Sequence, residues 1–462
     1  MKKLSRALIL LLLVTLVAAP PLVSGSANLA RAESTPEKRE ASSYYEAAAR
    51  LLFWHPELYE KAGQTAFPVD PQRAIGMFLI ARGKGALTPG GQVTLGDAHL
   101  ASGELDKAIR EWESLLNEKQ ETGKAAPRLA REYHAQAQYE AEARVLHLWL
   151  ESEPLNAEAS EQLGLLLTAS AASEALPLLE LAAASSPGTA SRLNGLISAL
   201  KTPAEDPAYR LALCGQALAR LGEWQLAQQA FARAVNANPQ YAAAWGWLGL
   251  ARQQNHAANA LEALEYANQL DGKSAPLHAM LGTYWLRAEQ PQKARLEFET
   301  ATRLEPANPA WWLALAGAVS RSDLASALEA YLQAIRLAPQ EAESWYALAA
   351  FCVENNAYLE EYGLDAALHA YALDPKNPAY MDLLARAQMG SGQTEAAEVM
   401  FKNALAAGTP ETAFIHHFHL GLLYLQIGRE AQAKDKLQQT LKLDPQGPYG
   451  KQAKTLLERY FP

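Results

Sequence analysis

Between Ala275 and Asn308 the apolar positions fall where a pair of packed helices would place them. Leu277, Leu281 and Trp285 recur every four residues, on one face of a first helix, and Ala294, Phe298 and Ala301 mark one face of a second. The break between them is Ala288-Glu289-Gln290-Pro291. Pro291 suits the first position of the second helix, where its missing N–H is not needed, and Pro306 turns Glu305 out of the helical region. Gly282 and Ala294 are small where the two helices must approach to roughly 8–10 Å. A lone hairpin cannot bury its apolar face, so the pattern demands neighbours on both sides.

Those neighbours are in the chain. The Leu281-Gly282 step returns as Ala62-Gly63, Leu95-Gly96, Leu129-Ala130, Leu163-Gly164, Cys214-Gly215, Leu248-Gly249, Leu315-Ala316, Leu348-Ala349, Leu384-Ala385 and Leu420-Gly421. Successive steps are 33, 34, 34, 51, 34, 33, 34, 33, 36 and 36 residues, and the step of 51 is one period plus a further helix. The order W-x-x-L-G-x-x-Y, then A-x-x-x-F and a closing Pro, resembles the tetratricopeptide repeat family, here with His278 for the first Trp and Trp285 for the Tyr. The resemblance implies an all-α, right-handed α-solenoid of stacked helix-turn-helix repeats whose first helices line a concave groove for extended or helical peptides.

Taken in order, residues 1–32 predict an export signal: Lys2, Lys3 and Arg6 precede the apolar run Ala7 to Ala19, and Ala30-Arg31-Ala32 offers a cleavage site. The alternative is an uncleaved N-terminal anchor, since the run extends to Val23, but Pro20 and Pro21 interrupt it short of the roughly 20 residues a span needs. Residues 33–42 are polar and predict a flexible leader. Residues 43–187 hold divergent repeats, and residues 188–207 an extra helix from Thr189 to Leu200 followed by a charged, turn-rich joint from Lys201 to Pro207. Residues 208–447 divide into seven repeats of about 34 residues, and residues 448–462 supply a polar capping helix. No stretch alternates with period two, so no strand is expected.

Formal charge is −9, and removal of Lys2, Lys3, Arg6 and Arg31 with the leader takes it to −13, which disfavours nucleic acid as a partner. Cys214 and Cys352 occupy core positions four repeats apart, too far for a disulfide. The densest candidate chemistry is His416-His417-Phe418-His419, where only His416 and His419 share a helix face. His417 takes the place of the repeat's Trp, and no acid or Cys lies within a turn, so packing rather than a metal is expected. No cofactor is expected either, and Glu360-Glu361 fits solvated surface.

Binding is expected instead. Trp245 and Trp312 fill the structural Trp place, whereas Trp247 and Trp311 are surplus; Trp247 lies about 200° around its helix from Trp245 and either anchors a partner or covers a neighbouring helix. Arg220, Arg287 and Arg321 recur near the ends of first helices, as a ladder for carboxylates or as charges favoured by the helix dipole. With Tyr346 these make the candidate peptide groove. The Asn ladder that resembles sugar-transferase superhelices is missing, and so is the Lys/Asn clamp of chaperone-tail receptors. The sequence therefore predicts a non-enzymatic scaffold, extracytoplasmic and of bacterial-envelope type, that holds a protein or peptide partner. The alternative is a non-catalytic subunit positioning an enzyme, for example in envelope polysaccharide processing or export, with membrane association through residues 7–23 if the leader stays.

Overall fold

The computed structural model describes residues 20–170, 172–203 and 206–461, and its described residues form helices and turns without strands. The export signal's apolar core therefore lies largely outside the described residues. Two compact units are formed, Met1–Ala234 and Val235–Pro462.

The first unit holds a helical stretch over residues 20–34, the Lys38–Leu51 helix and four hairpins. The hairpins are Glu57–Ala66 with Pro71–Gly83, Pro89–Ala101 with Leu105–Asn117, Thr122–Ala135 with Tyr139–Ser152, and Ala157–Thr168 with Ala175–Ala183. The unpaired Pro187–Lys201 helix follows, in the place expected for the extra helix, and then Pro207–Arg220 and Trp224–Ala237. The second unit holds six hairpins, from Ala242–Gln254 with Ala260–Leu270 to Ala413–Gln426 with Glu430–Leu443, and the closing Pro448–Tyr460 helix.

Each hairpin closes where the period places its small residue. A Cβ built on Gly215 would lie 2.7 Å from Phe231 Cε1, and one on Gly282 would lie 2.7 Å from Phe298 Cζ. Both rings are buried. Gly282→Leu therefore forces the Ala275–Arg287 and Pro291–Leu304 helices apart, at a cost of about 1–3 kcal/mol. Hydrogen exchange should find the lost protection in this hairpin and its neighbours, because stack stability is nearly a sum of units and interfaces. The structural tryptophans recur as exactingly: Trp245, Trp312 and Trp345 each donate Nε1–H to the carbonyl of Pro239, Pro306 and Pro339 at 2.9 Å. His278, in the same place, sets Nε2 3.2 Å from Gly272 O. The longer step between Leu348 and Leu384 is taken up by a π-helical turn, Leu359–Gly363.

One boundary differs from expectation. The leader over 33–42 is mostly helical, because Ala41 and Ser42 are buried and Ser42 Oγ donates to Ala62 O at 2.9 Å, which draws the helix start back to Lys38. The division between compact units falls inside Trp224–Ala237. The closing helix is a polar cap on one side only: Lys451, Lys454, Glu458 and Arg459 are exposed, while Ala453 is buried beside Leu437. The helix still ends at Lys201 and restarts at Pro207, so limited proteolysis should cut first between them.

Candidate binding site on the first helices of the second unit

The sequence candidates separate once placed. Arg220 ends Pro207–Arg220 in the first unit, Arg287 ends Ala275–Arg287 in the second, and Arg321 lies just past Pro309–Val319. All three are exposed charges at helix C-termini, where the dipole favours them, and they form no described ladder. Trp247 is half-buried against Leu250, Leu264, Met280 and Leu281, so it covers neighbouring helices instead of standing free. Trp311 likewise packs beside Ala275, Ala279 and Phe298 and donates Nε1–H to Glu305 Oε2 at 2.8 Å. Both rings pack for one reason: an aromatic on a first helix meets the next first helix before it meets solvent.

Tyr346 lies elsewhere, on the Ala342–Asn355 helix. It lines a cavity of about 210 Å3 together with Asp382, Arg386, His416, His419 and Tyr449, contributed by the Ala342–Asn355, Pro378–Gly390, Ala413–Gln426 and Pro448–Tyr460 helices. At its floor Asp382, only 5% exposed, accepts from two imidazoles: His416 Nδ1 lies 2.9 Å from Oδ1 and His419 Nδ1 2.7 Å from Oδ2. Burial opposes the charge on Asp382, but the hydrogen bonds from His416 and His419 outweigh it and hold the carboxyl below its usual range. Each imidazole thereby has its Nδ1 fixed as donor and its Nε2 left for another group. His416 Nε2 is buried with no hydrogen-bond partner among the described residues. Arg386 is half-buried on the wall, and Tyr346 packs against Tyr380 with the rings tilted by 39° and their centroids 5.2 Å apart.

The expected lack of acids near the histidines thus holds within one helix and fails across helices. Asp382 was invisible at short range because it lies 34 residues before His416. That separation is close to the local repeat of 36 residues between Leu384 and Leu420, and residues about one repeat apart sit near each other on adjacent first helices; the period itself was the signal. His417, by contrast, stays out of the cluster, and burial lowers its pKa and favours the neutral ring. Among the described residues no group of three or more His, Cys, Asp or Glu side chains could hold a metal ion. Nor does a described Ser, Thr or Cys hydrogen-bond to His416 or His419 as a nucleophile would. Fixed imidazoles, a guanidinium and two phenols around a small recess can bind the polar end of a side chain or chain terminus.

The first unit has a second, part-buried cluster. His134 lies 3.1 Å from both carboxylate oxygens of Glu142 and 3.2 Å from Glu223 Oε2. Hydrogen bonds to Glu142 and then Glu223 outweigh burial and raise His134 to about 10. Burial pushes the Glu142 carboxyl up even as His134 pulls it down, so the imidazole rather than Glu142 holds its charge more firmly. Tyr139 OH donates to Gln225 Oε1 at 2.7 Å close by, joining parts of the chain 86 residues apart. A hollow of about 690 Å3 beside it, lined by Tyr139, Arg144, Leu166 and Arg233, is larger than the histidine cavity but more open.

The tetratricopeptide repeat family matches residues 215–275 and 383–448. No curated protein matches. Among solved structures the chain is similar to yeast Tom70, at 16% identity over 97% of this chain and 96% of that one with a TM-score of 0.42. It is also similar to MamA from Desulfovibrio magneticus, at 20% identity over 37% of this chain and 95% of that one with a TM-score of 0.33. PilF from Pseudomonas aeruginosa is 16% identical over 47% of this chain and 98% of that one, with a TM-score of 0.38.

Proposed function

The chain is a tetratricopeptide-repeat protein, and from that premise we propose that it is an exported, non-enzymatic scaffold that holds a protein partner against the first helices of its second unit. Repeats of this kind serve protein–protein interaction in general; the envelope location, the assembly of an envelope complex and the site are this proposal's own. The observation that carries it is the recess around Asp382, where side chains from four helices converge and His416 Nε2 has no described partner. A buried polar atom without a partner costs stability in the free protein, and a donor or acceptor from a bound segment would relieve that cost. Tyr346 and Tyr449 supply rigid aromatic walls and Arg386 a planar fork for a carboxylate.

Co-purification from an envelope extract tests it. Tyr346→Ala and Arg386→Ala should each weaken capture of the native partner by about 2 kcal/mol, or roughly thirty-fold in Kd, with circular dichroism unchanged. Trp247→Ala should lower thermal stability instead, because that ring is packing. If folded Tyr346→Ala and Arg386→Ala proteins both capture the partner as well as wild type, the recess is not the binding site.

A further inference from the structure

The helical stretch over residues 20–34 is a working part of the first unit's core. Ala32 is 3% exposed, and Leu29 packs against the cluster of Ala48, Ala49, Leu52, Leu58 and Tyr59. Gly25 is buried, and a Cβ there would lie 2.6 Å from Leu52 Cγ and 2.7 Å from Cδ2. This fit needs glycine at 25, which a segment discarded before folding would have no reason to provide. Cleavage after Ala32 would also strip Leu29 and Ala32 from the cluster and uncover Leu52 and the alanines beneath.

The surface at that contact is apolar. Leu22 is 43% exposed, Val23 69%, Phe53 72% and Trp54 45%. Leu22 and Val23 lie within one turn of Gly25, and Phe53 and Trp54 directly follow Leu52, so both pairs lie within three residues of the Gly25–Leu52 contact. Phe53 and Trp54 meet edge to face with centroids 4.9 Å apart. Single exposed apolar residues are ordinary, but a group including a Trp marks an interaction site. What covers it is indicated by the chain itself: in sequence the uncharged run Ala7 to Ala19, preceded by Lys2, Lys3 and Arg6, leads directly into the helical stretch that begins at residue 20. The run from Ala7 to Val23 meets the lower limit of the roughly 17–25 residues that span a bilayer, and a short span is relieved when flanking aromatics sit in the headgroup layer.

We propose that residues 1–34 are retained and anchor the protein in a phospholipid bilayer. Lys2, Lys3 and Arg6 then lie on the cytoplasmic side, the repeats on the other, and Phe53 and Trp54 in the headgroup layer. This goes beyond the scaffold reading and stands or falls separately from it, since it concerns the other unit.

The test uses the full chain. Intact mass of protein purified from expressing membranes should include Met1, and alkaline carbonate should leave it in the pellet; a soluble protein whose mass begins at Glu33 would overturn the proposal. In vesicles of phosphatidylethanolamine and phosphatidylglycerol, a nitroxide on Phe53→Cys should collide with oxygen several-fold more than with a water-soluble nickel chelate. A nitroxide on Leu155→Cys, at a site 80% exposed, should do the reverse. The native Cys214 and Cys352 are buried and do not take the label. Trp54→Cys repeats the measurement should Phe53→Cys fold poorly. If residue 53 meets the nickel chelate as freely as residue 155, lipid does not cover it. Spin–spin broadening between labels at 53 that persists on dilution with excess lipid would assign the patch to a second copy and equally reject the bilayer.

Discussion

Asp382→Ala will destabilise the hairpins around residues 378–443 by on the order of 3 kcal/mol, since it leaves two buried imidazole Nδ1 groups without an acceptor at about 1–3 kcal/mol each. Asp382 is the acceptor for both His416 and His419, whereas removing either histidine leaves the carboxylate one partner, so the single substitution at 382 should exceed either histidine change. Its pH signature follows from the lowered carboxyl pKa. A carboxyl held below its unfolded value near 4 contributes stability that is complete above that value and drains away as pH falls through the lower folded value. Wild type should therefore lose local stability on acidification that Asp382→Ala has already lost, and the two unfolding profiles should converge below about pH 4. Hydrogen exchange resolved by repeat, measured at neutral and acid pH, checks both statements. A variant as protected as wild type across 378–443 would show that the carboxylate is not what orders the histidines.

His134→Ala will cost about 2–4 kcal/mol in the first unit, somewhat below the about 3–5 kcal/mol of a fully buried pair because the His134 side chain is 38% exposed. The substitution leaves Glu142, 1% exposed, facing Glu223 without the cation between them. The loss should appear in the Thr122–Ala135 and Tyr139–Ser152 helices and around Glu223, and spare the hairpins before residue 118. Here the sign runs the other way from Asp382. A histidine raised to about 10 contributes stability that is fully present below its unfolded value near 6.5 and is lost as pH rises through about 10. Alkaline titration of wild type, followed by tryptophan fluorescence or exchange, should thus reproduce what the alanine variant shows at neutral pH. His134→Lys, which keeps a cation, should recover part of it.

What could be read from the chain divides along one physical line. The helix hairpins were legible because their periods of four residues and their Gly and Pro punctuation are local, and the 34-residue period made the stacking legible as well. Gly282 against Phe298 and Trp312 against Pro306 are consequences of the repeat, found in one unit and read into the others. The start of order at Lys38 was not legible: the polar residues around it gave no sign that Ser42 would reach Ala62. Of the candidate groove, Tyr346 lines the recess around Asp382, while Trp247 and Trp311 pack against neighbouring helices, which for Trp247 is one of the two readings its position allowed. Asp382 was passed over since a search within one helix turn cannot see a partner one repeat away. The bridge from His134 to Glu223 skips past intervening helices, and no spacing rule encodes it, because it depends on how far each helix turns relative to the last.

The most direct test of the scaffold account is site-specific photo-crosslinking in living cells. A benzoylphenylalanine replacing Tyr346 should give a discrete adduct with a partner protein, and Arg386→Ala should abolish that adduct while leaving the fold intact. The same group at Leu296, 63% exposed on a second helix of the same unit, should give none. An adduct formed at Leu296 and absent at Tyr346 would contradict the account and move the binding surface to the second helices.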